Sequence, residues 1–219
     1  MVSIICFSVI SFVFSCISKE TMSNFNGYTI VIDAGHGGRD GGSVGVLGSV
    51  EKHLNLEYVM ELKDILIDLG YKVVLTRKND DGLYSATDKN KKISDLNERM
   101  TIIKKANPNL MISIHMNSFT SSSSVGPIAY YKFDDRASER VADLVQKCFN
   151  VYCNARWQEG KAGDYYILNN SYYTSVLIEC GFISNAEEEK LLNTKEYRKK
   201  LMSAVAGGIG LYFGIVKEI

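Results

Sequence analysis

Along this chain, short apolar runs rich in β-branched residues alternate with longer segments whose apolar residues recur at helical spacing, and few folds accommodate that alternation. The runs "YTIVID" (28–33), "YKVVLT" (71–76), "NLMISIHMN" (109–117), "PIAYYK" (127–132), "DYYIL" (164–168) and "SVLIEC" (175–180) read as strands. Near-continuous apolar strands suit a sheet covered on both faces. Over 51–69, Leu54, Tyr58, Leu62, Ile65 and Leu69 fall on one helical face and Gly70 supplies a stop. Ser94 can cap a helix to about Ala106, with Asp95 and Glu98 in its first turn and Lys104 and Lys105 in its last. Residues 137–151 put Val141, Leu144, Val145 and Cys148 on one face, Ser184 and Glu187 have capping-box spacing, and a last helix covers about 195–214. The pattern predicts an α/β single domain: a mostly parallel central sheet of about six strands flanked by helices.

Residues 1–24 stand apart. "MVSIICFSVISFVFSCIS" carries no charge before Lys19, is short for a spanning helix, and suits the apolar stretch of an export signal, with Cys16 and Ser18 as small residues before a cleavage point. Residues 1–24 are therefore expected to be a signal peptide or N-terminal anchor, and 25–219 one domain lying outside the cytoplasm, touching a membrane only through that first segment. The 25 basic and 25 acidic side chains cancel, which argues against a nucleic-acid binder relying on a broad basic surface. Cys148 and Cys153 are close enough for a bridge to be conceivable, Cys180 reads as a small buried side chain, and the absence of C-x-x-C disfavours a cysteine zinc site.

The chemistry gathers where strands end. In open α/β sheets functional groups collect at the carboxyl ends of strands. His36 follows the first strand, His115 ends the third, and Glu179 stands near the end of "SVLIEC", a run in which an ionised carboxylate is costly unless it meets a cation or a partner. Two histidines with carboxylates at one edge suggest a zinc site with an open coordination position. Glu51 and His53 both stand near the start of a helix; two residues apart, they point about 200° apart, so one of them can face the site and spacing does not say which. The glycines of "GHGGRDGG" lack the Lys-Ser/Thr end of a phosphate loop and do not open directly onto a helix.

"IDAGHGGRDGGSVG", "EKHLNL", "VVLTR", "ERMTIIKKAN", "ISIHMNS" and "VLIECGFISNAEEEKLL", in that order, resemble the zinc-dependent N-acetylmuramoyl-L-alanine amidases of the amidase-3 type, from about Tyr28 to Phe213. The single-domain architecture is similar to the germination-specific amidases of spore-forming bacteria. The resemblance implies zinc bound by His36, Glu51 and His115, with Glu179 as the catalytic glutamate; it chooses Glu51 over His53. It implies hydrolysis of the amide between N-acetylmuramic acid and L-alanine, which removes stem peptides from peptidoglycan, in spore cortex maturation through muramic lactam and in germination. Gly41 replaces a usual proline, and Met116 and Ser118 flank Asn117 where small alanines are common. Asn117 is a candidate substrate contact, Arg99 reads as a helix-packing or salt-bridge residue, and Tyr130, Tyr131, Tyr165, Tyr166, Tyr172 and Tyr173 with Trp157 could line a sugar-stacking surface or the sheet.

The implied substrate partner is a glycan strand with stem peptides, and the polar loops at 77–93 and 118–126 and the "ARWQEGKAG" stretch are places where an activating protein could order the site. Two other readings use the same residues: a zinc hydrolase of other N-acyl amino acid amides, or a catalytically weak, partner-activated wall-binding regulator.

Overall fold

The computed structural model describes residues 25–120 and 124–217. The expected signal or anchor at 1–24 lies outside the described residues, among which no helix is long and apolar enough to cross a membrane. Six strands, β1 (Thr29–Ala34), β2 (Lys72–Leu75), β3 (Leu110–Asn117), β4 (Ile128–Tyr131), β5 (Lys161–Ala162) and β6 (Ser175–Phe182), form one sheet in the order β2-β1-β3-β6-β4-β5. All neighbours are parallel except β4 and β6, which run antiparallel. The helices are α1 (Glu51–Asp68), α2 (Lys91–Ala106), α3 (Arg136–Cys153), the single turn α4 (Tyr166–Asn169), α5 (Ala186–Leu192) and α6 (Lys195–Tyr212). The domain is thus the predicted α/β layering with a mostly parallel six-stranded sheet.

Alternate residues of each strand enter two cores. Ile30, Ile32, Leu110, Ile112, Ile114, Val176 and Ile178 pack with Leu54, Tyr58 and Leu62 of α1, Val141 and Val145 of α3, and Leu201 and Val205 of α6. On the other face Val31, Met111 and Leu177 meet Ile103 of α2 and Ile167 and Leu168 of α4. Towards the carboxyl ends this second face turns polar, at Asp33 and Ser113, both fully or almost fully buried. β1 and β3 lie side by side although β1 also pairs with β2 on its other edge, so the chain leaves β1 in opposite directions across the sheet. That topological switch is where α/β sheets open a crevice.

Several local expectations are corrected. "DYYIL" is not a strand: Tyr166–Asn169 form α4, and the strand in this region is the two-residue β5 just before it. A five-residue apolar run cannot be assigned to strand or helix by period; here Ile167 and Leu168 reach the core from a helical turn. The second long helix begins at Lys91, and its cap is Asn90, whose side-chain oxygen accepts the Ile93 N–H. The cap of α5 is Asn185, which accepts from Glu187 and Glu188; Ser184 instead accepts a hydrogen bond from the Phe119 N–H. Cys148 and Cys153 are free thiols. A capping side chain is worth about 1 kcal/mol, so Asn90→Ala should lower stability by about that amount in denaturant titrations, with Ser94→Ala within about 0.5 kcal/mol of wild type.

A candidate metal centre at the strand ends

The site is built where β1, β3 and β6 finish. His36 lies two residues beyond β1 with φ of 61°, a left-handed conformation uncommon for a non-glycine residue. Such a conformation persists only when its surroundings over-determine it. Here the Arg99 guanidinium accounts for it: Nη2 donates to the His36 carbonyl, Nη1 to the Ala34 carbonyl and to Asp33 Oδ1 at 2.7 Å, and Nε to Asp95 Oδ2 at 2.6 Å. Arg99 and Asp33 are both almost wholly buried. Asp33 also accepts from the Thr76 and Ser113 hydroxyls. Burial alone would raise the Asp33 carboxyl, but Arg99 and these hydroxyls outweigh it and hold the group at about 2.

A second arginine staples the same loop from outside. Arg77 Nε donates to the Ala34 carbonyl, Nη2 to those of Gly35 and Lys52, and Nη1 to that of Asn79. It stands in "VVLTR", two residues past the end of β2, and its burial there was not legible in the sequence.

His36, Glu51 and His115 each offer a ligand atom, and these atoms lie within 4.8 Å of one another. Glu51 Oε1 is 3.1 Å from His36 Nε2 and 3.1 Å from His115 Nδ1. The other carboxylate oxygen, Oε2, accepts the Ser43 N–H at 2.8 Å. Burial would raise the Glu51 carboxyl, but the two imidazoles hold it far below the usual range. On the far side of His36, Nδ1 is 3.0 Å from Asp40 Oδ2, which fixes the ring so that Nε2 faces the cluster. His53 points elsewhere: its ring is more than half exposed and reaches Asp80 Oδ2 at 3.3 Å. Asp80 also pairs with Lys52, whose ammonium holds the Gly38 carbonyl.

The glycines have a steric reason. A Cβ on Gly35 would sit 2.2 Å from the His115 ring, and one on Gly42 would sit 2.5 Å from Glu51 Oε2. Either would displace a side chain of the cluster.

Glu179 faces this group from β6. In the parallel register it is paired with His115, just before a bulge that shifts the register by Asn117. Every residue of β6 is buried, and Glu179 Oε2 has no hydrogen-bond partner among the described residues. Burial pushes its carboxyl up to about 7, partly offset by His115. The Asn117 carbonyl accepts the Ile183 N–H, and its side chain lies beside the Tyr130 hydroxyl, which also neighbours Tyr165. The tyrosines do not share one role: Tyr130 and Tyr165 pack as a tilted pair 5.2 Å apart, while Tyr172 is almost fully exposed.

Two imidazoles and one carboxylate, convergent and backed by Asp40 and by the Ser43 N–H, are a donor set that could hold a divalent metal ion. A buried carboxylate without a hydrogen-bond partner at Oε2, that of Glu179, lies beside them.

This chain has relatives. A family model described as N-acetylmuramoyl-L-alanine amidase matches residues 30–210. The germination-specific N-acetylmuramoyl-L-alanine amidase of Bacillus subtilis (strain 168) is 33% identical over 193 residues, covering 86% of this chain and 81% of the relative. The solved CwlD amidase of Clostridioides difficile, in complex with the GerS lipoprotein, superposes with a TM-score of 0.82 at 33% identity, covering 86% of this chain and 100% of that one. The catalytic domain of CwlV, an N-acetylmuramoyl-L-alanine amidase from Bacillus (Paenibacillus) polymyxa var. colistinus, gives a TM-score of 0.76 at 30% identity, covering 86% and 99%. With the family model spanning nearly the whole sheet and every strand that meets at the cluster, the chain belongs to the Amidase_3 family of N-acetylmuramoyl-L-alanine amidases.

Proposed function

We propose that this protein is a zinc-dependent amidase that hydrolyses the bond between N-acetylmuramic acid and L-alanine in peptidoglycan. The observation that carries the reading is the convergence of His36, Glu51 and His115 beside the unpartnered carboxylate of Glu179. His36 Nε2, Glu51 Oε1 and His115 Nδ1 would hold the zinc. When bound, the ion supplies Lewis acidity, which activates water and polarises the scissile carbonyl.

The chain's own groups supply the proton transfers and the orientation. Glu179 accepts a proton from the attacking water and delivers one to the leaving nitrogen of L-alanine as the C–N bond breaks. The products are the muramyl lactyl carboxylate and a stem peptide with a free amine. A carboxyl raised to about 7 by burial holds and releases a proton near neutral pH. Asp40 keeps the His36 ring oriented, and Arg99 and Arg77 hold the backbone from which His36 projects. Asn117, at the rim beside Tyr130, is assigned to contact with substrate.

The biological setting we infer is spore cortex maturation and germination, with the protein exported or anchored by residues 1–24 and acting in the wall or spore envelope. The similarity to a germination-specific amidase supports it. The CwlD structure was solved with a lipoprotein, which supports an activating protein partner here as well.

The test is mass spectrometry of muropeptides after incubation of purified sacculi or cortex with the zinc-loaded protein. Free stem peptides and peptide-free muramic acid are expected, together with loss of zinc and activity in His36→Ala and His115→Ala. Intact muropeptides alongside cleavage of small N-acyl amino acids would move the substrate elsewhere. Stoichiometric zinc retained by either histidine variant would remove that residue from the ligand set.

A further inference from the structure

The run "NAEEEK" opens α5, and its last two glutamates behave unlike the first: Glu188 is buried and accepts the Gly126 and Phe182 N–H groups. Glu187 is exposed and pairs with Lys190. Glu189 is fully buried, a costly place for a carboxylate unless hydrogen bonds replace its water. The replacements are backbone N–H groups of a loop 140 residues away in sequence. Oε2 accepts from Leu47 at 2.7 Å and Oε1 from Ser49 at 2.8 Å. Asn193, one helical turn on, donates to the Ser49 hydroxyl at 2.9 Å. The loop backbone comes so near that a Cβ on Gly45 would sit 2.3 Å from the Glu189 carboxyl.

That loop leads into Glu51. It folds back on itself through the Val44–Val50 bridge and the Gly45 to Ser49 hydrogen bond. At its base the Ser43 N–H holds Glu51 Oε2, and the Glu51 N–H returns to the Ser43 carbonyl. Three side chains at its outer end, Val44, Val46 and Leu47, are more than half exposed. They contribute little burial, so the end of the loop is held chiefly by the Glu189 carboxylate.

We infer that Glu189 is a positioning residue for the metal centre: its carboxylate anchors the 43–50 loop, and through the Ser43 N–H that loop orients the Glu51 carboxylate so that Oε1 faces both imidazoles. The inference rests on the metal reading above. Glutamine at 189 offers one acceptor oxygen where glutamate offers two, and its amide turns N–H groups towards N–H groups. Alanine at Gly45 pushes the loop off the same carboxylate from the opposite side.

The test measures zinc affinity by chelator competition and the visible absorption of the cobalt(II)-substituted protein, for wild type, Glu189→Gln, Gly45→Ala and the control Glu187→Gln. Thermal melts run alongside to show that each is folded. Partners that orient metal ligands typically contribute about 10- to 100-fold in affinity. Both Glu189→Gln and Gly45→Ala are expected to bind zinc at least about tenfold more weakly and to shift the cobalt bands, with Glu187→Gln unchanged. Wild-type affinity and spectrum in both variants, or an effect in only one, overturns the inference even if the melting temperature falls. Failure of the wild-type protein itself to bind zinc refutes the metal reading, and this inference with it.

Discussion

Replacing Glu179 by glutamine is expected to cut turnover of peptidoglycan by about 10²- to 10⁴-fold, the range for removing a general acid–base group, while zinc content and fold persist. The side chain is isosteric, so the core around β6 keeps its packing. Oε2 has no hydrogen-bond partner among the described residues, so the amide breaks no contact at that atom, and the burial that raises the carboxyl to about 7 shows the charged form to be poorly supported. Loss of activity with stability retained or raised is therefore the expected signature. It is read from stem-peptide release, elemental analysis and a thermal melt on one preparation. Turnover within a few-fold of wild type would remove Glu179 from the proton-transfer role.

Arg99→Met is expected to have the largest effect on stability, about 3–5 kcal/mol, because it leaves the Asp33 carboxylate buried without its cation. Asp33→Asn leaves the guanidinium with Asp95 as its remaining carboxylate and should cost less, though more than about 1 kcal/mol. The pair also carries a pH dependence. The Asp33 carboxyl is held at about 2 when folded, below its ordinary 3.8. Such a group contributes stability that is fully present above about pH 4 and is lost as pH falls towards 2. Denaturant titrations at pH 7 and through that acid window should show the wild-type advantage over Asp33→Asn shrinking as pH drops. A difference below about 1 kcal/mol at pH 7 would show that the pair is compensated by other contacts. Arg99→Met should also weaken metal binding, since the same guanidinium holds the His36 carbonyl. Arg99 was read from the sequence as a packing or salt-bridge residue, and it does form a buried ion pair; its hold on the backbone of a candidate ligand was invisible there.

The long helices α1, α3 and α6 and the buried strands β1, β3 and β6 were legible because their apolar residues repeat with the period of the structure they form. "DYYIL" was not, since five residues cover little more than one helical turn and cannot separate that period from a strand's. The cap of α2 was misplaced by four residues: Ser94 and Asn90 are both acceptable caps in composition, and only the backbone path decides between them.

The site divides in the same way. The sequence by itself determined the α/β alternation, the placement of His36 and His115 after strands, and an ionisable Glu179 in a run too apolar to solvate it. The choice between Glu51 and His53 came from family likeness, because two residues on one helical turn carry no local sign of which faces inward. Tertiary structure decided their surroundings: Glu51 lies between two imidazoles and under the Ser43 N–H, and His53 turns out to Asp80. It also decided what Asp33, Arg77, Arg99 and Glu189 do, since each acts on a partner at least 42 residues away in the chain. Periodicity records which face of an element is buried; which polar group waits on the other side of the crevice depends on strand order and register.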